Sequence, residues 1–175
     1  MKQLNIYILE KLKITKDKIQ EYKYHPKYKY ELESLIEQLI KERGLEADLN
    51  DIDTSNITDM SEIFKGSEFN GNISKWDVSN VENMDDMFYK SKFNHDISSW
   101  NVSNVTDMNA MFAESKFNGD ISKWDVSNVK DMGHMFYGSK FNQDISKWNV
   151  SNVKYMNNMF DISPLEKNPP KWYKI

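Results

Sequence analysis

Asp96, Asp120 and Asp144 recur at intervals of 24 residues, with Asn72 one interval earlier. Hard cations take oxygen ligands, so carboxylates stacked at one repeat position could hold calcium. The flanking residues lack the dense Asp/Gly spacing of calcium-binding β-coils. An Asp in this setting also caps a turn through its own backbone, and that is the role expected here. Asn80, Asn104, Asn128 and Asn152 form a second column at the same interval, which reads as a polar ladder. The methionine pairs, such as Met84 with Met87, could suggest a soft-metal site. Methionine at helical spacing beside Phe88 is far more often core filling, and we read it so. His25, His95 and His134 share no spacing that suggests a triad or a metal site. No serine sits in a nucleophile elbow, and no glycine-rich phosphate loop is present. With no cysteine, thiolate nucleophiles, thiolate zinc sites, disulfides and a lipid-modified cysteine are excluded. The chemistry-bearing residues therefore point to no enzyme, no cofactor and no metal.

One further segment interleaves aromatics with cations. Residues 22–30 carry Tyr22, Tyr24, Tyr28 and Tyr30 among Lys23, His25, Lys27 and Lys29. Single-stranded nucleic acid or a membrane surface could use that combination. Pro26 marks a loop, and residues 1–48 hold 10 basic against 9 acidic groups, too even a balance for a phosphate-binding patch. A solvated linker is the favoured reading, with a protein-contact loop and a nucleic-acid site as its rivals.

The element that must position these columns is a repeat. Phe-Asn occurs at Phe69, Phe93, Phe117 and Phe141, and all five tryptophans (Trp76, Trp100, Trp124, Trp148, Trp172) keep the same interval of 24. The four copies that begin at those phenylalanines agree at 13 of 24 positions, which no chance alignment produces. The shared pattern is F-N-x-x-I-S-x-W-x-V-S-N-V-x-x-M-x-x-M-F-x-x-S-x. Leu49, Ile52, Ile57, Met60, Ile63 and Phe64 fill the same slots in a degenerate first copy. Downstream, Leu165 and Trp172 hold the phenylalanine and tryptophan slots, while Pro169 and Pro170 replace the strand core. Prolines there remove amide donors and blunt an open edge.

Within a copy, Val81, Met84, Met87 and Phe88 are spaced as one face of a short helix with an N-cap at Ser79 or Asn80. Residues 72–78 read as a short strand with a turn. One strand and one short helix per copy predict an α/β repeat solenoid, with strands stacked in parallel about 4.8 Å apart. A single coil cannot bury its apolar residues alone, so stacking must supply the stability. Before the array, Leu32, Leu35, Ile36, Leu39 and Ile40 predict a helix ending at Gly44. An earlier apolar element at residues 4–12 reads as helical, with a turn opening at Thr15 or Asp17. The expected organisation is a helical N-terminal cap at 1–44, a solenoid of five repeats at 45–160 and a C-terminal half-repeat cap at 161–175.

The string F-N-x-D-I-S-x-W-x-V-S-N-V-x-x-M-x-x-M-F resembles the BspA-like repeat of bacterial surface proteins, the variety of leucine-rich repeat also found in mycoplasma lipoproteins. The resemblance covers residues 45–160 and implies a leucine-rich-repeat-like solenoid that binds other proteins. It further implies that the Asn80 column satisfies backbone groups at the bend of each coil. Similar repeats occur in phages and large viruses of AT-rich hosts, and the composition has that bias, with Arg43 the only arginine and three alanines.

Charge narrows the partner. Residues 49–160 carry 10 basic and 16 acidic groups within a chain of formal net charge −4, which argues against nucleic acid. The apolar run at residues 6–9 is cut by Glu10, too short for a membrane span or a secretory signal. We therefore expect no membrane insertion, and a cytoplasmic, virion or host-cell location ahead of a cell surface. Positions shared by every copy are what the coil requires, whereas those that differ are open to a partner. They are Gly71, His95, Gly119 and Gln143; Glu82, Thr106, Lys130 and Lys154; and Tyr89, Ala113 and Tyr137. From these, Glu82, Tyr89, His95, Thr106, Lys130, Tyr137 and Gln143 are the candidate contacts of an unidentified protein partner. The expected function is a monomeric, non-enzymatic protein-binding solenoid. The alternative is a phage or viral structural or host-factor-inhibiting protein built on the same repeat.

Overall fold

Three corners shape each 24-residue copy, and each corner begins with an Asx side chain except the third of the last copy, where Tyr155 stands. In the copy that starts at Phe69, turns fall at residues 74–75, 79–80 and 85–90 in the computed structural model, which describes residues 22–174. Asn72 Oδ1 accepts from the Ser74 amide at 3.1 Å, Asp77 Oδ1 from Ser79 at 3.0 Å and Asn83 Oδ1 from Asp85 at 2.9 Å. Asp and Asn favour such turns because the short side chain reaches its own backbone two residues on. The same bonds recur through the later copies, so the chain closes into coils that lie one on the next.

The coils are built from turns rather than from the expected helix. Over residues 84–90, the amides of Met84, Asp86, Phe88 and Lys90 donate to the carbonyls of Asp107, Asn109, Met111 and Ala113 at 2.9 Å. In an α-helix those amides would turn back on their own chain. Asp86 (φ 54°) and Lys90 (φ 56°) are left-handed, which interrupts any helix and aims the alternate amides at the next coil. The carbonyls of Asn83, Asp85, Met87 and Tyr89 point the other way and accept from Met60, Glu62, Phe64 and Gly66. The strip is therefore polarised, with donors facing the C-terminal end of the stack and acceptors the N-terminal end. Parallel bridges link Asp59, Asn83, Asp107, Asp131 and Tyr155 in series. The expected strand at residues 72–78 contributes only the bridge of Asn72 to Asp48.

The core runs along the axis of the stack. Phe64, Phe88, Phe112, Phe136 and Phe160 stack face to face with ring centroids 5.5–5.9 Å apart and planes within 5°. A second file, Phe93, Phe117 and Phe141, runs beside them at 6.3–6.4 Å. The methionine, valine and isoleucine columns of the inner coils are buried around both files. Each tryptophan reaches back: the Nε1–H of Trp76, Trp100, Trp124, Trp148 and Trp172 donates to the carbonyl 27 residues earlier at 3.0–3.3 Å. Trp172 keeps this register in the tail, and Leu165 packs partly buried against the core, in line with the slots read for both.

Helix α1, Lys29–Arg43, buries Leu32, Ile36 and Leu39 and ends at Gly44, whose amide donates to the Ile40 carbonyl at 2.8 Å. Arg43, the only arginine, holds the helix end to the first coil by paired bonds of 2.9 Å to Asp51. Residues 22–28 are not a free linker. Tyr24 forms a parallel bridge with Ile52, and Pro26 is buried. The readings for residues 4–12, Thr15 and Asp17 lie outside the described residues.

Candidate functional site

Because consecutive coils are in register, equivalent positions form columns up the side of the stack. Glu82, Thr106 and Lys130 are brought together in one of them. The Thr106 amide donates to the Glu82 carbonyl, that of Lys130 to Thr106 and that of Lys154 to Lys130, each at 2.8 Å. Backbone bonds thus hold the column whichever side chain stands there, and the Thr106 hydroxyl adds a bond to the Glu82 carbonyl at 3.2 Å. The side chains run from acidic through neutral to basic along the row. Glu82, Lys130 and Lys154 are exposed and Thr106 is half-buried. A shallow open trough lies along the N-terminal part of the row, lined by Ser55, Asn56, Thr58, Asn80, Glu82, Asn104 and Thr106.

The other candidates are not drawn into this row. Tyr89 donates its hydroxyl to Glu114 at 3.0 Å, and the ammonium groups of Lys90 and Lys65 lie 4.9 and 5.7 Å from its ring centroid. Tyr137 sits two coils on, edge-on to His134 at 6.0 Å, and Ala113 between them is buried. His95 is exposed, 3.9 Å from Glu46, while the Gln143 amide donates to Asn118 at 3.1 Å. Gly71, in the His95 column, is not a free position. A Cβ there would collide with the Ala47 carbonyl oxygen, so the first coil dictates glycine. At Gly119 the nearest atoms are those of the Phe117 ring, at 2.8–2.9 Å.

The chemistry-bearing columns are engaged within the coils. Asp96, Asp120 and Asp144 accept from the amides of Ser98, Ser122 and Ser146 at 2.8–2.9 Å, and those bonds hold their carboxyls below the usual range. Asn80, Asn104, Asn128 and Asn152 donate to the carbonyls of Ser55, Ser79, Ser103 and Ser127 at 2.7–2.8 Å, across each coil junction. The methionine pairs of the inner coils are buried. His25 pairs with Asp53 at 3.2 Å, remote from His95 and His134 in its partners. Among the described residues no cluster of three ligating side chains could hold a metal ion, and no helix is long and apolar enough to cross a membrane.

Two features escaped the reading of the residues. The left-handed positions recur twice per coil, at Glu62, Asp86, Ala110, His134 and Asn158, and at Gly66, Lys90, Glu114, Gly138 and Ile162. Glycine at two of five places in the second set was the available signal. The other is Asp85, whose carboxyl is pushed up to about 6 by burial and by the charges of Asp86, Asp107 and Glu62. No pattern in the sequence marks it, because Asp107 and Glu62 meet it only through folding.

The family model described as "Mycoplasma protein of unknown function, DUF285" matches residues 32–139 and 113–173. Neither a curated protein nor a solved structure matches the chain.

Proposed function

Since the chain belongs to the DUF285 family of mycoplasma proteins of unknown function, we propose that it is a non-enzymatic, protein-binding solenoid of the BspA-like leucine-rich-repeat kind. The observation that carries this is the Glu82–Thr106–Lys130 column. Invariant residues form the core and the coil junctions, whereas this row changes charge from coil to coil on an open polar trough. A partner reads such a row by polar contacts and shape, with affinity concentrated at a few positions. Clustered cations, which phosphate backbones require, are missing from an array of 10 basic and 16 acidic groups over residues 49–160. Tyr89 and Gln143 take a lesser part, since their polar groups already have partners within the chain.

The test compares the wild type with Glu82→Ala/Thr106→Ala/Lys130→Ala in affinity capture from lysate of the source organism, read by mass spectrometry. We expect a protein recovered by the wild type to be lost with the triple variant at unchanged melting temperature. Equal recovery by both would refute the role of the column. Salt-sensitive nucleic-acid binding that vanished on replacing Lys23, Lys27 and Lys29 would replace this reading with the basic-aromatic one.

A further inference from the structure

We propose that the C-terminal edge of the stack, distinct from the side column above, docks a segment of a partner protein through that segment's backbone carbonyls. The stack itself shows what such an edge takes. At the last inner junction, the amides of Met132, His134, Phe136 and Gly138 donate to the carbonyls of Tyr155, Asn157, Met159 and Asp161 at 2.8–3.0 Å. The same four-bond row recurs at every earlier junction from Met60 onward. In the terminal coil the equivalent donors are the amides of Met156, Asn158, Phe160 and Ile162. Among the described residues none of these four meets a hydrogen-bond acceptor. Asn158 (φ 56°) and Ile162 (φ 57°) keep the left-handed geometry of their inner counterparts, so the row keeps its aim. An unpaired row of backbone donors is a template for another chain.

The rim of this edge carries a second, independent sign. Tyr155 stands where inner coils carry Asp59, Asn83, Asp107 and Asp131, and it is 59% exposed. Ile162 stands where they carry Gly66, Lys90, Glu114 and Gly138, and it is 66% exposed. A terminal coil that only had to face water would carry polar residues at those places. A β-branched residue at positive φ is also a costly choice with no packing in return. Among the described residues the tail offers the row no acceptor, although it packs beside it. Trp172 lies on Trp148, and Tyr173 lies edge-on to Phe160 at 4.9 Å. A small cavity lined by Met156, Asn157, Asn158, Tyr173 and Lys174 stays open at the start of the row.

Polarity selects the occupant. A second copy meeting this edge with its own C-terminal edge would set donors against donors. A second copy offering its N-terminal edge would have to displace Lys29 at the start of α1, which donates to Ser61 Oγ at 2.6 Å within the first coil's acceptor strip. What remains is a chain segment from another protein that presents carbonyls at two-residue spacing and an apolar contact for Tyr155 and Ile162, as in strand addition to a sheet edge.

Residue-resolved hydrogen exchange on the full chain tests this, with a synthetic peptide copying residues 130–140 as the probe. In the free chain, the amides of Met156, Asn158 and Ile162 should exchange far faster than those of Met132, His134 and Gly138. The peptide at millimolar concentration should slow all three by at least tenfold. Tyr155→Asp with Ile162→Gly restores the residue types of the inner coils. It should abolish that protection without lowering the melting temperature. Several results would overturn the proposal: no protection by the peptide, equal protection by inorganic phosphate alone, protection retained in the double variant, or concentration-dependent protection in the free chain.

Discussion

Replacing Trp124 by alanine should cost about 5 kcal/mol, and the parts of that cost can be separated by two companion variants. Trp124 is 4% exposed, lies 6.3 Å from the Phe112 ring and donates to the Ile97 carbonyl at 3.2 Å. A buried tryptophan removes about 200 Å² from water, worth about 5 kcal/mol at about 25 cal/mol per Å². Incomplete collapse around the missing ring keeps the loss near the upper end of large-to-small core changes, about 3–5 kcal/mol. The Ile97 carbonyl, left buried without a donor, accounts for about 1 kcal/mol of that total. Trp124→Phe keeps most of the bulk and loses the donor, so it should cost about 1–2 kcal/mol. Trp172 makes the same bond to Ile145 at 3.0 Å but is only half-buried. Trp172→Ala should therefore cost about 2–3 kcal/mol, roughly half the area term. Urea unfolding followed by far-ultraviolet circular dichroism measures all three. A Trp172→Ala cost equal to or above that of Trp124→Ala would refute the coil-on-coil register. A Trp124→Phe cost equal to that of Trp124→Ala would show that the hydrogen bond, not the buried area, dominates.

Asp85 predicts a pH effect with a definite sign. Its folded pKa of about 6 lies above the ordinary aspartate value of 3.8, so the folded chain binds more protons and this group's contribution to stability falls as pH rises from about 4 to about 6. Asp85→Asn should therefore stabilise the chain at pH 7.5, by about 1 kcal/mol after allowing for solvent screening, and leave stability at pH 3.5 nearly unchanged. Thermal melts at the two pH values check it, and destabilisation at pH 7.5 would refute it. The carboxyls of Asp96, Asp120, Asp125 and Asp144 are held low, so their contribution is present above about pH 4 and lost as pH falls through their folded values. Gly71→Ala meets a backbone oxygen and should cost more than about 3 kcal/mol, whereas Gly119→Ala meets only the Phe117 ring and should cost about 1–3 kcal/mol in the same urea assay. Deleting residues 1–44 removes α1 and uncovers Leu49, Ile52 and Ile57, so size-exclusion chromatography should show association; an unchanged monomer peak and melting curve would show that α1 is a separate unit.

Some of this was legible in the residues because it is local or periodic. The interval of 24 between phenylalanines and tryptophans determined which side chains line the core, since a column repeated in every coil must face the same way in each. The aspartates at 96, 120 and 144 disclosed their turn-capping role because an Asx turn needs only its own two following residues. The apolar spacing before Gly44 likewise marked the end of α1, where an i to i+4 pattern meets a residue free of a Cβ. Tertiary structure decided the rest. Val81, Met84, Met87 and Phe88 have the spacing of a helix, yet their strip is a run of turns because the next coil offers acceptors 23 residues on that outcompete those within the strip. The grouping of Glu82 with Thr106 and Lys130, the engagement of Tyr89 by Glu114, the glycine forced at Gly71 and the shifted Asp85 all depend on neighbours about one coil away. A one-dimensional pattern specifies that such neighbours exist and in which register. It does not specify the distance and direction at which their charges, carbonyls and rings arrive, and those quantities set hydrogen bonds, clashes and pKa values.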